Sequence, residues 1–341
     1  MNKPALVFGG KSPEHEVSLS SASNALKHIQ KAEDSEVLLI LIRKDGQFVL
    51  TDRIAEDGPS VPLCAVPGQG LAFRDTGIII GISIAYLFAH GTNCEDGTLQ
   101  SVFQSCGIPY TGCGVLSSAL CMSKTAASEL ASSIAPSVPR LCTAAMPSKA
   151  SLAGIGLPII AKPECSGSSV GISIIETASE AEIVRSFTLA RQFSPLVLFE
   201  KLVKPCREFE CGILEHQGQI IALRVCELVR SRDFLSYDDK YRSGSDYILC
   251  PAPIDDSLQH HIQQTSIRIF QKLSCRGFAR IDYLMDSITG TVYFNEANTI
   301  PGFTATSHYP RMLEASGIGK EEFIKDLRKA AFDLHSEQNQ L

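Results

Sequence analysis

Short apolar runs separated by glycine dominate the first hundred residues. PALVFGG (residues 4–10), EVLLILIRKDG (36–46) and GISIAYLFAHG (81–91) each have the length and composition of a buried strand. KSPEHEVSLSSASNALKHI (11–29) predicts a helix with Ser12 as its N-cap and Pro13 at its first position. The order strand, glycine turn, helix, strand predicts an α/β domain with a mostly parallel sheet.

This pattern also predicts where a ligand would bind. Ligands of parallel α/β sheets bind beyond the carboxyl ends of the strands. Gly9, Gly10, Glu16 and His90 all fall at that edge in the predicted domain. Residues 45–78 read as loop-rich and carry no motif.

Helical propensity alternates with paired strands in the rest of the chain. LPIIAKPECSGSSVGISII (157–175) predicts a hairpin in which Lys162 ends the first strand. REFECGILEHQGQIIALRVCELV (207–229) and GFARIDYLMDSITGTVYFNEAN (277–298) predict further paired strands. Helices are predicted for SALCMSKTAASELASSI (118–134), DDSLQHHIQQTSIRIFQKLS (255–274) and PRMLEASGIGKEEFIKDLRKAAFDLH (310–335).

Composition narrows the classes of protein. The chain has 341 residues and a net charge of −6, which argues against a general nucleic-acid binder. Its 12 cysteines are scattered without a C-x-x-C pair, which favours mostly inert thiols in a reducing cytoplasm. No secretory leader and no apolar run long enough to cross a bilayer is evident.

The strand end YFNEAN (293–298) offers the first candidate chemistry. Residues i and i+2 of a strand point to the same side, so Glu296 and Asn298 present oxygens to one place. Asp282, on the neighbouring predicted strand, would join them. Such oxygens suit Mg²⁺, which often shares its ligands with phosphates. A solvated strand end before a turn explains Glu296 and Asn298 equally well, and the residues alone leave both interpretations open.

Arg280 lies two residues before Asp282 and therefore on the same strand face. A fixed guanidinium there could clamp a phosphoryl group or a developing oxyanion. A structural salt bridge to Asp282 or Glu296 is slightly favoured by the residues alone.

Lys162 and the loop SGSSVG (166–171) form a candidate phosphate site. A lysine that ends an apolar strand needs an anion, although extension of its amine into solvent is an equal alternative. A loop rich in glycine and serine can close over phosphates, but such loops are common. The Walker A and dinucleotide glycine patterns are absent from the sequence.

Six phrases in one order then change the interpretation: HGTNCEDGTLQ, IPYTGCGVLSSAL, AKPECSGSSVGIS, SYDDKY, GFARIDYL and FNEANTIPGFTATSHYP. Together they resemble the D-alanine–D-alanine ligases of the ATP-grasp superfamily, over residues 7–331. The resemblance implies an α/β fold, α+β in parts, of three domains. These would be a Rossmann-like substrate domain with a parallel sheet (1–118), a small ATP-grasp domain (119–203) and a C-terminal ATP-grasp domain with the metal site and a lid loop (204–341).

The resemblance also implies the ligands and the residues that hold them. ATP would lie between the second and third domains, with two Mg²⁺ or Mn²⁺ ions bound by Asp282, Glu296 and Asn298. The implied nucleotide contacts are Lys124 and Lys162 to phosphates, Glu200, Lys201 and Leu202 to adenine, Glu208 to ribose, and Lys240 to the γ-phosphate.

The implied reaction joins two D-alanines in two steps. The carboxylate of the first attacks the γ-phosphate of ATP, and the amine of the second then attacks the acyl phosphate. Arg280 and the N–H of Gly302 would hold the oxyanion of the tetrahedral intermediate. The first D-alanine would contact Glu16 through its ammonium and His90 through its carboxylate. Ser169, Tyr241 and Glu16 resemble the group that locks the lid.

The second substrate is where the chain departs from the family. Ser307 and His308 would line the pocket for its carboxylate, and His308 stands where these ligases mostly have Leu or Met and D-serine or D-lactate ligases mostly have Arg. The lid phrase DDKY argues against D-lactate. D-alanine is therefore the expected second substrate and D-serine the alternative. A nucleotide-binding regulatory protein is a third possibility, and a cytoplasmic homodimer is expected from the resemblance.

Overall fold

The computed structural model describes residues 2–167, 170–229 and 247–339. In chain order the strands are β1 (Lys3–Gly9), β2 (Leu38–Ile42), β3 (Phe48–Thr51), β4 (Ser60–Val66), β5 (Gly70–Phe73), β6 (Ile79–Ile80), β7 (Ile82–Leu87), β8 (Arg140–Thr143), β9 (Ile159–Pro163), β10 (Ser173–Ile175), β11 (Val197–Lys201), β12 (Cys206–His216), β13 (Gln219–Ala222), β14 (Cys226–Val229), β15 (Tyr247–Leu249), β16 (Phe278–Asp286) and β17 (Val292–Asn298).

The helices of the described residues pack on these strands. They are α1 (His15–Glu33), α2 (Thr98–Ser105), α3 (Val115–Met122), α4 (Lys124–Ala131), α5 (Lys149–Leu152), α6 (Glu180–Arg191), α7 (Asp256–Lys272), α8 (His308–Ala315) and α9 (Lys320–Gln338). The described residues contain no helix with the length and apolarity needed to span a bilayer.

The first sheet has the order β6-β5-β4-β3-β2-β1-β7 and confirms the α/β class. Only β2, β1 and β7 pair in parallel, while β3 to β6 add antiparallel neighbours. The expectation of a mostly parallel sheet was therefore wrong for its outer half. Residues 45–78, expected to be loops, supply β3, β4 and β5 of these strands, because short turns let consecutive strands pair directly.

The start of α1 also differs from the expectation. The helix begins at His15, and Ser12 does not cap it. The Ser12 hydroxyl donates to the carbonyl oxygen of His90 (2.7 Å) and accepts from the N–H of Glu14 (3.2 Å). Ser12 thus joins the turn after β1 to the end of β7, and a bond to another part of the fold replaces local capping.

The other two sheets are antiparallel. One has the order β10-β9-β11-β8 and contains the predicted hairpin, with Ile160 opposite Ile174. The other has the order β15-β14-β12-β16-β17, with β13 paired to β12. Each sheet is built within one predicted segment, and the division at residues 118 and 203 stays a prediction.

Side-chain packing crosses those predicted boundaries. Phe303, from the third segment, lies 5.3 Å between ring centroids from both Phe88 of the first and Phe323 of the third. Ala127 of α4 belongs to the same buried cluster as Phe209 and Ile281 of the third sheet. The N-terminal sheet and α4 are therefore held against the C-terminal part by buried apolar contacts.

The sequence favoured mostly inert thiols, and ten of the described cysteines are unpaired while two are not. Cys226 and Cys250 are joined by a disulfide, and both flank residues outside the described range. Their pairing follows from the antiparallel contact of β14 with β15, which no spacing rule in the sequence reveals.

Candidate active site

Three carboxylates lie in one row across the third sheet. Glu210 on β12 is opposite Asp282 on β16, which is opposite Glu296 on β17. Arg280 is opposite Asn298 in a parallel row. Directly opposed residues of antiparallel strands share a face, so these side chains point to the same side. The predicted adjacency of the strands that carry Asp282 and Glu296 is confirmed.

Asp282 is the buried centre of this group. The Nε and a terminal NH₂ nitrogen of Arg280 each donate to one of its oxygens at 2.7 Å, and the amide of Asn298 donates at 2.9 Å. Burial raises the pKa of Asp282 to about 7, although the Arg280 charge works against this shift. The salt bridge that the sequence analysis weighed for Arg280 is present.

The side chains of Asp282, Glu296 and Asn298 offer oxygen atoms, which suit a hard divalent cation. No cluster of three or more acidic, histidine or cysteine side chains with metal-site geometry occurs within the described ranges. Protein atoms alone therefore supply too few ligands for an enclosed site. A cation held here by Asp282, Glu296 and Asn298 needs further oxygens, and nucleotide phosphates would provide them.

Two lysines face this row from the second sheet and α4. Lys162 is the next-to-last residue of β9 and pairs with the buried Glu200 carboxylate, which Arg140 also approaches at 3.0 Å. Lys124, the first residue of α4, donates through Nζ to the carbonyl oxygen of Ser166 (2.6 Å) and lies 3.8 Å from Glu296 Oε2. Lys162 is buried rather than extended into solvent.

A cavity of about 740 Å³ lies between two walls. One wall is formed by the second sheet and the start of α4, and the other by the third sheet. The cavity is large enough for a nucleotide, since small-molecule sites span roughly 300–1,000 Å³. Of the residues singled out from the sequence, it is lined by Lys124, Lys162, Glu200, Lys201, Leu202, Glu208, Arg280, Asp282 and Glu296.

The predicted adenine segment spans the end of β11 and the residue after it, at the cavity. The N–H of Lys201 donates to the carbonyl of Pro139 and that of Leu202 to the carbonyl of Pro158, both at 2.9 Å. Neither N–H is thus directed at a ligand in this state. Val203, the next residue, also lines the cavity and was missed by the sequence analysis.

Glu164 is a second residue that the sequence analysis missed. Its side chain is buried beside Lys124, and its Oε1 accepts from Ser123 Oγ (2.6 Å) and the N–H of Thr125 (3.0 Å). Burial alone would raise the pKa of Glu164, but hydrogen bonds from Cys165, Ser123 and Thr125 outweigh it and the net shift is downward. No motif signals this residue, because its partners are distant in sequence.

Glu16, expected to contact the first substrate, points away from the residues described above. It lies on the exposed side of α1, where its carboxylate pairs with Lys44 at 2.8 Å. Glu14, just before α1, faces inward instead. A Cβ at Gly91 would lie 2.5 Å from Glu14 Oε2, and one at Gly167 would lie 3.3 Å from it. Glu14 therefore lies between the end of β7 and the glycine-rich loop.

His90 lies where the sequence analysis expected, at the carboxyl end of the parallel strands. It is buried, with Nδ1 at 3.1 Å from the carbonyl oxygen of Ile300 and Nε2 at 2.8 Å from Ser21 Oγ. Ser21 Oγ also accepts from the N–H of Phe303 (3.1 Å). His90 is thus connected through Ser21 to the loop that contains Gly302.

Gly302, Ser307 and His308 lie on and after this loop. A Cβ at Gly302 would approach Ser307 Oγ to 3.0 Å, so a side chain there would crowd Ser307. Ser307 Oγ accepts from the N–H of Thr304 (3.0 Å). His308 begins α8, and its Nδ1 lies 2.7 Å from Glu210 Oε2, which is itself 3.5 Å from Arg280 Nε. His308 is thus linked to Arg280 through Glu210.

Ser169, Lys240 and Tyr241 lie outside the described residues, so their predicted roles stay predictions.

Comparison with known proteins gives one family along the chain. The family model described as "D-ala D-ala ligase N-terminus" matches residues 3–113, and that described as "D-ala D-ala ligase C-terminus" matches residues 143–329. The D-alanine--D-alanine ligase of Caldicellulosiruptor bescii is 33% identical over 99% of this chain and 97% of its own. D-alanine--D-alanine ligase A of Salmonella typhimurium is 33% identical over 98% and 97%.

Comparison with solved structures leads to the same family. The VanG D-Ala:D-Ser ligase from Enterococcus faecalis superposes with a TM-score of 0.85 at 32% identity, covering 97% of this chain and all of its own. The D-alanine-D-alanine ligase from Coxiella burnetii gives 0.84 at 26% identity, covering 100% and 98%. These matches confirm the resemblance and the ATP-grasp fold, and the chain belongs to the D-alanine–D-alanine ligase family.

Proposed function

We propose that this protein is an ATP-dependent ligase that joins two D-alanines and so supplies a peptidoglycan precursor. The observation that carries the proposal is the cavity between the second and third sheets. Cationic Lys124 and Lys162 face it from one wall, while Arg280, Asp282 and Glu296 face it from the other. A nucleotide with a bound metal ion requires cations for its phosphates and carboxylates for the metal, and the two walls offer both.

The nucleotide would lie with its phosphates between these walls. Lys162 would exchange its ion pair with Glu200 for a phosphate, which leaves Glu200 and the adjacent main chain to bind adenine. Because the N–H of Leu202 already donates to Pro158, the main chain of Val203 is the better adenine contact. Glu208, which lines the cavity from β12, would accept from the ribose hydroxyls.

Asp282, Glu296 and Asn298 would hold Mg²⁺ or Mn²⁺ together with phosphate oxygens. When bound, such ions neutralise charge on the phosphates during transfer. Arg280 would then be available to the reacting carbonyl, while Glu210 on the other side keeps its guanidinium in place.

The reaction would proceed in two steps. The carboxylate of the first D-alanine attacks the γ-phosphorus of ATP, giving an acyl phosphate and ADP. The amine of the second D-alanine attacks the acyl carbon and loses a proton, and inorganic phosphate leaves. Arg280 and the N–H of Gly302 would stabilise the oxyanion between addition and departure.

We assign the ammonium of the first D-alanine to Glu14 rather than Glu16. Glu14 lies at the end of the parallel strands, beside Gly91 and near His90, where the resemblance locates that substrate. Ser169, Tyr241 and Lys240 keep their family roles in lid closure and γ-phosphate contact as part of the proposal.

D-serine is the alternative second substrate. His308 supports it, because a polar imidazole replaces an aliphatic side chain beside Ser307. The D-Ala:D-Ser ligase among the structural relatives is consistent with it but weak support, since ligases named for D-alanine alone match as well.

The test is a product-resolved assay with ATP, Mg²⁺ and D-alanine, repeated with equal D-serine or D-lactate. We expect steady formation of D-alanyl-D-alanine from D-alanine alone. Predominance of a mixed dipeptide with serine would establish the alternative. ATP binding without any product would leave only a nucleotide-binding protein.

We also propose, from the family alone, that the protein is a cytoplasmic homodimer. Analytical ultracentrifugation at micromolar concentration tests the oligomer, and a monomer there would contradict it.

A further inference from the structure

The start of α4 is held by a carboxylate from another part of the chain. The first N–H groups of a helix lack partners within it. In α4 the N–H of Ala126 donates to Ser123 Oγ (3.1 Å), which is local capping. The N–H of Thr125 instead donates to Glu164 Oε1 (3.0 Å), 39 residues away, and the Ser123 hydroxyl donates to the same oxygen at 2.6 Å.

Glu164 lies between Lys124 and Lys162, the two lysines proposed to contact the phosphates. It directly follows β9, the strand that ends in Lys162 and Pro163. The helix that it caps begins with Lys124. Lys124 Nζ in turn donates to the carbonyl oxygen of Ser166, two residues after Glu164. Glu164 thus connects the end of β9, the glycine-rich loop and the start of α4.

Burying the Glu164 carboxylate at this position costs free energy, and the structure shows what offsets it. Glu164 is 2% exposed and lies beside cations that would bind a polyphosphate, which its charge would repel. An ionised carboxylate near a helix N-terminus is stabilised by the N–H groups and by the helix dipole. Its oxygens are occupied by donors from Ser123, Thr125 and Cys165, so its charge is directed at the helix rather than at the cavity.

We propose that Glu164 is a positioning residue that sets the location of Lys124, and with it the main chain of Ser166, for nucleotide binding. This inference rests on the proposed function, because it takes the cavity to be the ATP site. Glu164 does not line the cavity, so it would touch neither substrate nor reacting atoms. It acts through α4, whose first turn carries the lysine.

The test is a double-mutant cycle at Glu164 and Ser123. For each variant the affinity for ATP is measured by calorimetry in the absence of D-alanine. We expect Glu164→Ala to weaken ATP binding about ten-fold, since loss of a charged hydrogen-bond acceptor loosens the first turn of α4. The KM for D-alanine at saturating ATP should change less than two-fold. A fold-wide defect would move both quantities.

A second variant moves the carboxylate from residue 164 to residue 123 and tests whether the helix end needs it. Aspartate is a good N-cap, so Ser123→Asp added to Glu164→Ala returns a carboxylate to the same helix end. ATP affinity should recover to within about three-fold of wild type. In the wild-type background Ser123→Asp should weaken binding, because two carboxylates would then be adjacent. The substitution thus has opposite signs in the two backgrounds.

Glu182→Ala is the matched control. Glu182 is also a helix-capping carboxylate of the second segment, in the capping box of α6, and it does not line the cavity. Its variant should bind ATP within two-fold of wild type.

Two results would overturn the inference: ATP affinity of Glu164→Ala within two-fold of wild type, or no recovery on adding Ser123→Asp. If Glu164→Ala does not fold, Glu164→Gln decides. Its amide oxygen still accepts both bonds, so binding within three-fold of wild type supports the inference and a larger loss overturns it. Wild-type protein that binds ATP but forms no dipeptide would instead refute the proposed function alone.

Discussion

Glu14 and Glu16 are two residues apart and have different surroundings. Successive helix residues turn by about 100°, so positions i and i+2 lie on nearly opposite sides. Glu14 faces Gly91 and the glycine-rich loop, and Glu16 pairs with Lys44 at the surface. The sequence alone led to Glu16, whereas our proposal of Glu14 depends on the direction of α1.

Glu14→Gln should therefore impair the first substrate while Glu16→Gln should not. Loss of a charged hydrogen bond costs about 1.5–3 kcal/mol, which corresponds to a rise of about 10- to 150-fold in the KM of the first D-alanine. ATP affinity should stay within two-fold in both variants. Initial-rate kinetics that resolve the two D-alanine sites provide the measurement, and a larger effect from Glu16→Gln would reverse the assignment.

Arg280 makes its contacts within the row of carboxylates. If it stabilises the oxyanion, Arg280→Ala should lower kcat by about 10²–10³-fold with a much smaller change in ATP affinity. Arg276→Ala is the control, since Arg276 pairs with Glu215 and Glu337 and does not line the cavity. A fall of only a few-fold in the Arg280 variant would count against the role.

At the scale of elements, helix starts show two ways of satisfying the same N–H groups. Helix α6 uses a capping box within its own sequence, in which Ser179 accepts from the N–H of Glu182 and Glu182 from that of Ser179. Helix α4 takes one of its acceptors from Glu164. The first kind can be read from residue spacing. The second cannot, because it depends on which strand end packs against the helix.

The α6 capping box has a pH dependence of known sign. Hydrogen bonds from the Thr177 hydroxyl and main chain lower the pKa of Glu182 from 4.5 to about 2. A carboxylate whose pKa is lower in the folded state stabilises the fold above its unfolded pKa. Its contribution is complete above about pH 4.5 and is lost as the pH falls toward 2. The stability difference between wild type and Glu182→Gln should therefore be constant from pH 7 to 5 and shrink at pH 4.

Urea unfolding at these three pH values provides the measurement. A difference that grows on acidification would contradict the shift.

At the scale of the whole molecule, an aromatic group joins the N-terminal and C-terminal parts. Phe303 is fully buried and contacts Phe88 and Phe323, and Phe278 contacts both Tyr309 and Phe323. The loop that holds Gly302 is anchored by this packing as well as by Ser21. Stability and the position of the proposed oxyanion donor are thus linked.

Phe303→Ala should lower the free energy of unfolding by about 3–5 kcal/mol through the cavity that it leaves. It should also lower kcat, because Gly302 precedes it directly. Phe332→Ala, an exposed phenylalanine on α9, should cost well under half as much and leave kcat unchanged. Calorimetric melting and steady-state rates measure both effects. Equal destabilisation by the two variants would refute the proposed contribution of this core.

The sequence by itself determined what depends on local order. The alternation of residues at 277–298 gave two paired strands with Arg280, Asp282, Glu296 and Asn298 on one face, and the apolar runs gave the α/β class. The glycine-rich hairpin was likewise readable. In each case neighbours in the chain are neighbours in space, so the period of the pattern is enough.

Only the tertiary structure decided what depends on contacts between distant segments. It directed Glu14 inward and Glu16 to the surface, bound Glu164 to the start of α4, linked His308 to Arg280 through Glu210 and paired Cys226 with Cys250. It also turned residues 45–78 into strands that extend a sheet. The physical reason is the same throughout, since a buried polar group is satisfied by whichever partner the packing brings near, whatever their separation in the chain.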